Sequence, residues 1–181
     1  MMIQSGTLVY NTTLSSDKTI PMNALQVIEL FAGHRPDGQT VVERLPVQVL
    51  DDDSCQLVKS PAFAKGLASG DTIRLLEDKR QFELVKRSGN LCVRVFAYEG
   101  LDEIAESLIA ELEKLGGALD TENERMLVFS IHVSCGFAAI EAILNRYCDS
   151  IEECAWTYGN VYDATDGTTP LNWWQEILKP Q

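Results

Sequence analysis

Up to Tyr98 the chain alternates short apolar runs with turn residues. The runs occupy residues 27–31, 41–50, 55–58, 72–76, 82–86 and 92–98. Between them stand Arg35-Pro36-Asp37-Gly38, Asp51-Asp52-Asp53-Ser54, Gly70-Asp71 and Ser88-Gly89-Asn90, all residues that favour tight turns. Strands this short and this evenly punctuated predict a small β-barrel-like or curled antiparallel unit. Within it, Ser60-Pro61 predicts a single helical turn, with proline at the first helical position and Gly66 stopping it, plugging one barrel end.

After Tyr98 the period changes from two to 3.6. Leu101, Ile104, Ala105, Leu108, Ile109, Leu112 and Leu115 form a helical stripe that Gly116-Gly117 ends. Residues 118–120 read as a short strand, and residues 125–133 as a longer one with Leu127, Phe129, Ile131 and Val133 on one face. A second helix is predicted next, capped by Ser134, with Phe137, Ile140, Leu144 and Tyr147 as its stripe and Ile143 beside them. Residues 155–162 complete a βαββαβ order. The fold class expected is therefore α+β: a small N-terminal β-barrel-like unit, then a ferredoxin-like βαββαβ sandwich. The divisions expected are residues 1–90, 91–165 and a Trp-rich tail, 166–181, that packs on the body.

Two stretches carry a resemblance. Ser60-Pro61-Ala62-Phe63-Ala64-Lys65-Gly66-Leu67-Ala68-Ser69-Gly70-Asp71 and Trp156-Thr157-Tyr158-Gly159-Asn160-Val161-Tyr162 together resemble an uncharacterised bacterial family carrying a domain of unknown function. The resemblance spans roughly residues 43–162 and leaves the first 40 residues outside. It implies the barrel-then-sandwich order and brings no catalytic residue.

Composition narrows the function classes. With 181 residues, the chain is long enough to bury about 70% of its unfolded surface. Its 45% hydrophobic content is too high for a disordered acidic chain, and no 18-residue charge-free apolar run is present to span a bilayer. The formal net charge is −12, so neither nucleic acid nor an anionic membrane is an expected partner, because both are bound through clustered Lys and Arg. Residues 1–10 lack a basic leader and a long apolar stretch, so no secretory signal is read there. Five scattered cysteines without a CxxC pair read as reduced thiols of a cytoplasmic protein.

Strand alternation supplies the candidate surface. Arg94, Phe96, His132, Trp156 and Tyr158 are placed together on the sheet face turned away from the helices, as a ligand or partner surface. The competing reading has the N-terminal unit or the tail cover that face. An aromatic face also suits single-stranded RNA, but its frame here is acidic. His132 and Cys135 have metal-ligand spacing without further partners for a closed site, so neither a metal nor a cofactor is expected. His34 reads as a hairpin tip, and Asp51-Asp52-Asp53 lacks EF-hand spacing. No phosphate-loop or nucleophile-elbow spacing occurs.

Glu99, Asp102, Glu103, Glu106, Glu111 and Glu113 give the first helix an acidic face. Trp173 and Trp174 must bury, either on the chain's own body or in a homodimer or partner contact. The reading reached is an uncharacterised, non-enzymatic protein-interaction or regulatory module, with the acidic helix or the aromatic face as its partner surface. The alternative is a small-molecule-binding module or enzyme with a pocket between the barrel and the open sheet face.

Overall fold

In a computed structural model, residues 25–180 apart from Lys79 are described. The reading of residues 1–10, the part of the expected first unit that precedes Leu25, and Gln181 lie outside them. The described residues form two antiparallel sheets and three helices.

The first sheet is a meander of β1 (Leu25–His34), β2 (Thr40–Val49), β3 (Cys55–Leu57), β4 (Thr72–Leu75) and β5 (Phe82–Lys86). Alternation sets its inner face. Ile28 and Leu30 on β1 stand beside Leu45 and Val47 on β2 and share a core with Cys55, Leu57 and Ile73, each large aliphatic worth about 2 kcal/mol on burial. The sheet is open among the described residues, with β1 and β5 at its two ends. Its ends nevertheless approach, since the Phe31 N–H donates to the Arg80 carbonyl at 2.9 Å.

The second sheet carries both long helices. Its elements run β6 (Asn90–Ala97), α1 (Leu101–Leu115), β7 (Ala118–Asn123), β8 (Met126–His132), α2 (Phe137–Cys148) and β9 (Cys154–Tyr158), with a 3-10 turn at Val133–Cys135 before α2. The strand order is β7-β8-β6-β9, all neighbours antiparallel. The stripe of α1 buries Leu101, Ile104, Ala105, Leu108 and Leu112, as its spacing predicts. Gly116 ends it at φ 107°, a left-handed conformation in which its N–H reaches back to the last carbonyls. A short α3 (Trp174–Ile177) lies in the tail.

Three expectations fail locally. Residues 61–66 form bends, not a helical turn, because their N–H groups are taken by a side chain from β2. Ser134 does not cap α2. It lies in the 3-10 turn, where its own N–H is capped by His132, and α2 starts after Gly136. The last strand ends at Tyr158 and has the opposite phase to that expected: Val93 pairs with Tyr158 and Val95 with Trp156, so both aromatics share the helix face.

Among the described residues no helix is long and apolar enough to cross a membrane.

Candidate functional site

The face of the second sheet turned away from the helices is the candidate surface, and the connection between β3 and β4 lies on it. Ala62 and Ala68 from that connection pack with Cys92, Met126 and Val128, and Phe96 closes the cluster's edge. The same connection sends Ala64 and Leu67 into the core of the first sheet. Residues 58–71 are thus a wedge shared by the two sheets.

Polar groups fix the wedge from both sides. From β2, the Glu43 carboxylate accepts three backbone N–H groups, from Ala62 at 2.6 Å, Phe63 at 2.9 Å and Ala64 at 2.8 Å. From β6, the Arg94 guanidinium donates to the Pro61 carbonyl at 3.1 Å and to the Ala64 carbonyl at 2.5 Å. Hydrogen bonds to charged groups contribute roughly 1.5–3 kcal/mol each, and buried carbonyls left unpaired would cost as much. Arg94 is only 6% exposed, so its charge is committed to the protein's own backbone.

Two carboxylates, Asp71 buried and Asp120 half-buried, complete the junction. Asp71 accepts the Ala68 N–H at 3.0 Å and the Ser88 N–H at 2.8 Å, with Arg87 at 3.8 Å. Asp120 accepts the Ser60 N–H at 2.8 Å and the Ser130 hydroxyl at 3.3 Å. Burial pushes both carboxyls above the ordinary aspartate value, against the hydrogen bonds that pull them down. Burial likewise raises the Cys92 thiol to about 11, which leaves it protonated and unsuited to nucleophilic attack. Beside it, Asn160 accepts from the Cys92 N–H at 2.9 Å and donates to the Asn90 carbonyl at 2.9 Å. Gly159 is required here, since a Cβ would stand 2.6 Å from the Cys92 sulfur.

The five residues expected to share one surface divide between two. Arg94 and Phe96 belong to the covered face. His132, at the end of β8, accepts the Ser134 N–H through Nδ1 at 3.2 Å, and its ring lies against Gly89. Cys135 turns elsewhere and donates to the Leu115 carbonyl at 3.0 Å. Among the described residues no group of three His, Cys, Asp or Glu side chains is arranged to hold a metal.

Trp156 and Tyr158 instead face α2, where the indole N–H donates to Asn145 at 2.8 Å and the phenol to Glu141 at 3.1 Å. Burial and the Glu141 carboxylate raise the Tyr158 hydroxyl. Their rings continue edge-to-face through Phe137 to Trp174 and Trp173, over which Arg87 stacks at 5.0 Å. The Trp173 indole donates to the Asn160 carbonyl at 2.7 Å, so the tail tryptophans dock on the chain's own body.

Sequence reasoning missed Glu43, Asp71 and Asp120. Gly70-Asp71 signalled only a turn, and nothing near Glu43 distinguishes a half-buried clamp from a solvated strand carboxylate. A cavity of 480 Å³ does exist, but at the hairpin tips, lined by Phe31, His34, Thr40, Asp78, Arg80 and Gln81. It is remote from the surface the alternation suggested.

The fold is similar to that in the crystal structure of a hypothetical protein from Neisseria gonorrhoeae, with a TM-score of 0.59 and 18% identity over 78% of this chain and 96% of that one. This is a likeness of fold alone. No curated protein matches the chain significantly. Residues 43–155, which run from the Glu43 clamp into β9 and include the whole wedge, match the family described as Domain of unknown function (DUF4265), and the chain belongs to that family.

Proposed function

We propose that the chain is a cytosolic, non-enzymatic protein-interaction or regulatory module that presents an acidic surface to a basic partner protein. One observation carries the reading: acidic groups of two elements meet at one end of the helical layer. Asp102, Glu103 and Glu106 stand exposed on α1. The turn at residues 149–153 packs against the start of the same helix, Ile151 lying 3.7 Å from where a Gly100 Cβ would be, and it exposes Asp149, Glu152 and Glu153. Such a surface steers a positively charged partner and raises its association rate.

The alternative, a small-molecule module or enzyme using Arg94, His132, Trp156 and Tyr158, has weaker support. The wedge occupies the space it needs, and two of the four residues face α2. For the architecture we read residues 91–165 as a ferredoxin-like unit, supported by the βαββαβ order and the β7-β8-β6-β9 pairing. The first unit, to residue 90, is read as barrel-like on the approach of Phe31 to Arg80, with residues 166–181 as a packed tail.

The test is a lysate pull-down at low and high salt with wild type and with Glu103→Lys/Glu106→Lys/Glu153→Lys. Basic proteins recovered by wild type at low salt should be lost at high salt and lost from the variant, while its melting temperature is unchanged. Recovery of the same proteins by both would reject the acidic surface. A small molecule retained by wild type in native mass spectrometry, with no protein partner, would favour the alternative.

A further inference from the structure

Two hairpin tips meet at the cavity of 480 Å³, the β1–β2 tip supplying Phe31, His34 and Thr40 and the β4–β5 tip Asp78, Arg80 and Gln81. The bond from the Phe31 N–H to the Arg80 carbonyl, 2.9 Å, holds the tips together. In a regular strand residues 31 and 34 would point to opposite faces. Here a bulge intervenes. Phe31 pairs with Val42, Gly33 with Val41 and His34 with Thr40, so the extra residue, Ala32, returns His34 to the face of Phe31. Their rings stand 5.1 Å apart, edge to face. In the other tip the Asp78 carboxylate accepts the Arg80 N–H at 3.0 Å and the Gln81 N–H at 2.9 Å, which fixes the turn that brings both side chains to the cleft.

The charge at this cleft is not spent as that of Arg94 is. The Arg80 guanidinium makes no hydrogen bond to another described residue. Its ion-pair partner Glu29 lies 3.8 Å away and is held more closely by Arg44, at 3.2 Å.

We propose that this cleft binds a small aromatic monocarboxylate. The Phe31 and His34 rings take the ligand's ring, and the Arg80 guanidinium, a planar fork matched to a carboxylate, takes its acid group. The volume suits such a ligand, since small-molecule sites span roughly 300–1,000 Å³. Glu29 and Asp78 stand near the single guanidinium, which disfavours a dianion such as a phosphate ester and favours a ligand with one negative charge. All six lining residues are exposed, so the ligand exchanges with solvent rather than staying trapped. The family match begins at residue 43, so the β1–β2 half of the cleft lies outside it. The cleft shares no residue with the acidic surface of α1 and the turn at 149–153, so the two readings stand or fall separately.

The chain has two histidines, His34 at the cleft and His132 at the end of β8, so histidine-selective isotope labelling of the full chain gives one signal at the site and one internal control. At constant pH, indole-3-acetate added to about 5 mM should shift the His34 ring resonances saturably, with a Kd of about 1 mM, while those of His132 stay in place. His34→Ala assigns the site signal. Neutral indole-3-acetamide and cationic tryptamine share the ring and should each bind at least about tenfold more weakly. Arg80→Gln changes an exposed side chain and should keep the melting temperature while losing about tenfold in affinity for the acid. The comparison of acid, amide and amine is made on wild type and needs no variant. Absence of a saturable His34 shift would overturn the proposal, as would joint movement of both histidines. Equal binding of the amide or the amine, or undiminished binding by a folded Arg80→Gln, would overturn it as well.

Discussion

In β1 alternate side chains face solvent, Leu25 at 72% and Val27 at 67% exposure, whereas in β8 residues 126–131 are buried without interruption. The first sheet is covered on one face and the second on both, by α1 and α2 on one side and by the wedge on the other. Continuous burial removes the alternating signature that marks a half-solvated strand. It also changes what a charged residue does. On the first sheet Arg44 pairs with Glu29 and Arg74 with Glu83 in solvent, where such pairs contribute little. On the second sheet Arg94 holds backbone carbonyls in a buried interface. The same residue type is decoration in one place and a fastener in the other.

The comparison can be broken at three points. The largest effect is expected from Leu108→Asp, which puts an unpaired carboxylate into the helix-side core of the doubly covered sheet. It should cost about 4 kcal/mol or more in urea unfolding, and an unchanged midpoint would show that this face is not sealed. Next is Arg94→Ala, which leaves the Ala64 carbonyl without its donor and the Pro61 carbonyl with only the Cys92 thiol at 3.4 Å, and should cost about 3 kcal/mol. Arg74→Ala on the first sheet should barely move the midpoint, and equal losses from the two variants would erase the distinction between the sheets.

Apart from that control, the smallest effect concerns pH. Burial raises the Asp120 carboxyl in the folded state, so the fold binds its proton more tightly than the unfolded chain does. Stability from this group is therefore greatest below the unfolded value near about pH 4 and falls as pH rises through the raised one. Asp120→Asn keeps both contacts, its amide oxygen accepting from Ser60 and its amide nitrogen donating to Ser130. The variant should gain on wild type as urea midpoints are measured from pH 4 to pH 7. Parallel curves would mean that Asp120 carries no burial penalty.

How much of this was legible depends on where each signal resides. The α1 stripe is local, since five buried residues follow from spacing alone, and the strands of the first sheet follow from alternation plus turn residues. The phase of β9 is not local. Trp156 and Tyr158 each have an apolar ring and a polar tip, and such residues suit either face until their partners are known. Asn145 and Glu141 on α2 decide the matter, and nothing in the strand itself announces them. The wedge was harder still. Its residues read as a turn with a proline, while the groups that order it, Glu43, Arg94 and Asp120, come from three other strands. Arg94 and Phe96 were rightly placed on the face away from the helices, but alternation cannot say what lies on top.

The wedge also bears on how the protein reaches its fold. Residues 58–71 contain little regular structure, and their anchoring bonds join positions 19 to 60 residues apart in sequence. Hairpins such as β1–β2 close through neighbouring residues and need no such reach, so docking of the wedge is expected late in folding, after both sheets have formed. Until then the second face of β6 and β8 is bare apolar strand, with Met126 and Val128 uncovered beside an unpaired Arg94. That interval is when a newly made chain is open to association with its copies, and its length is set by how quickly one irregular segment finds two sheets at once.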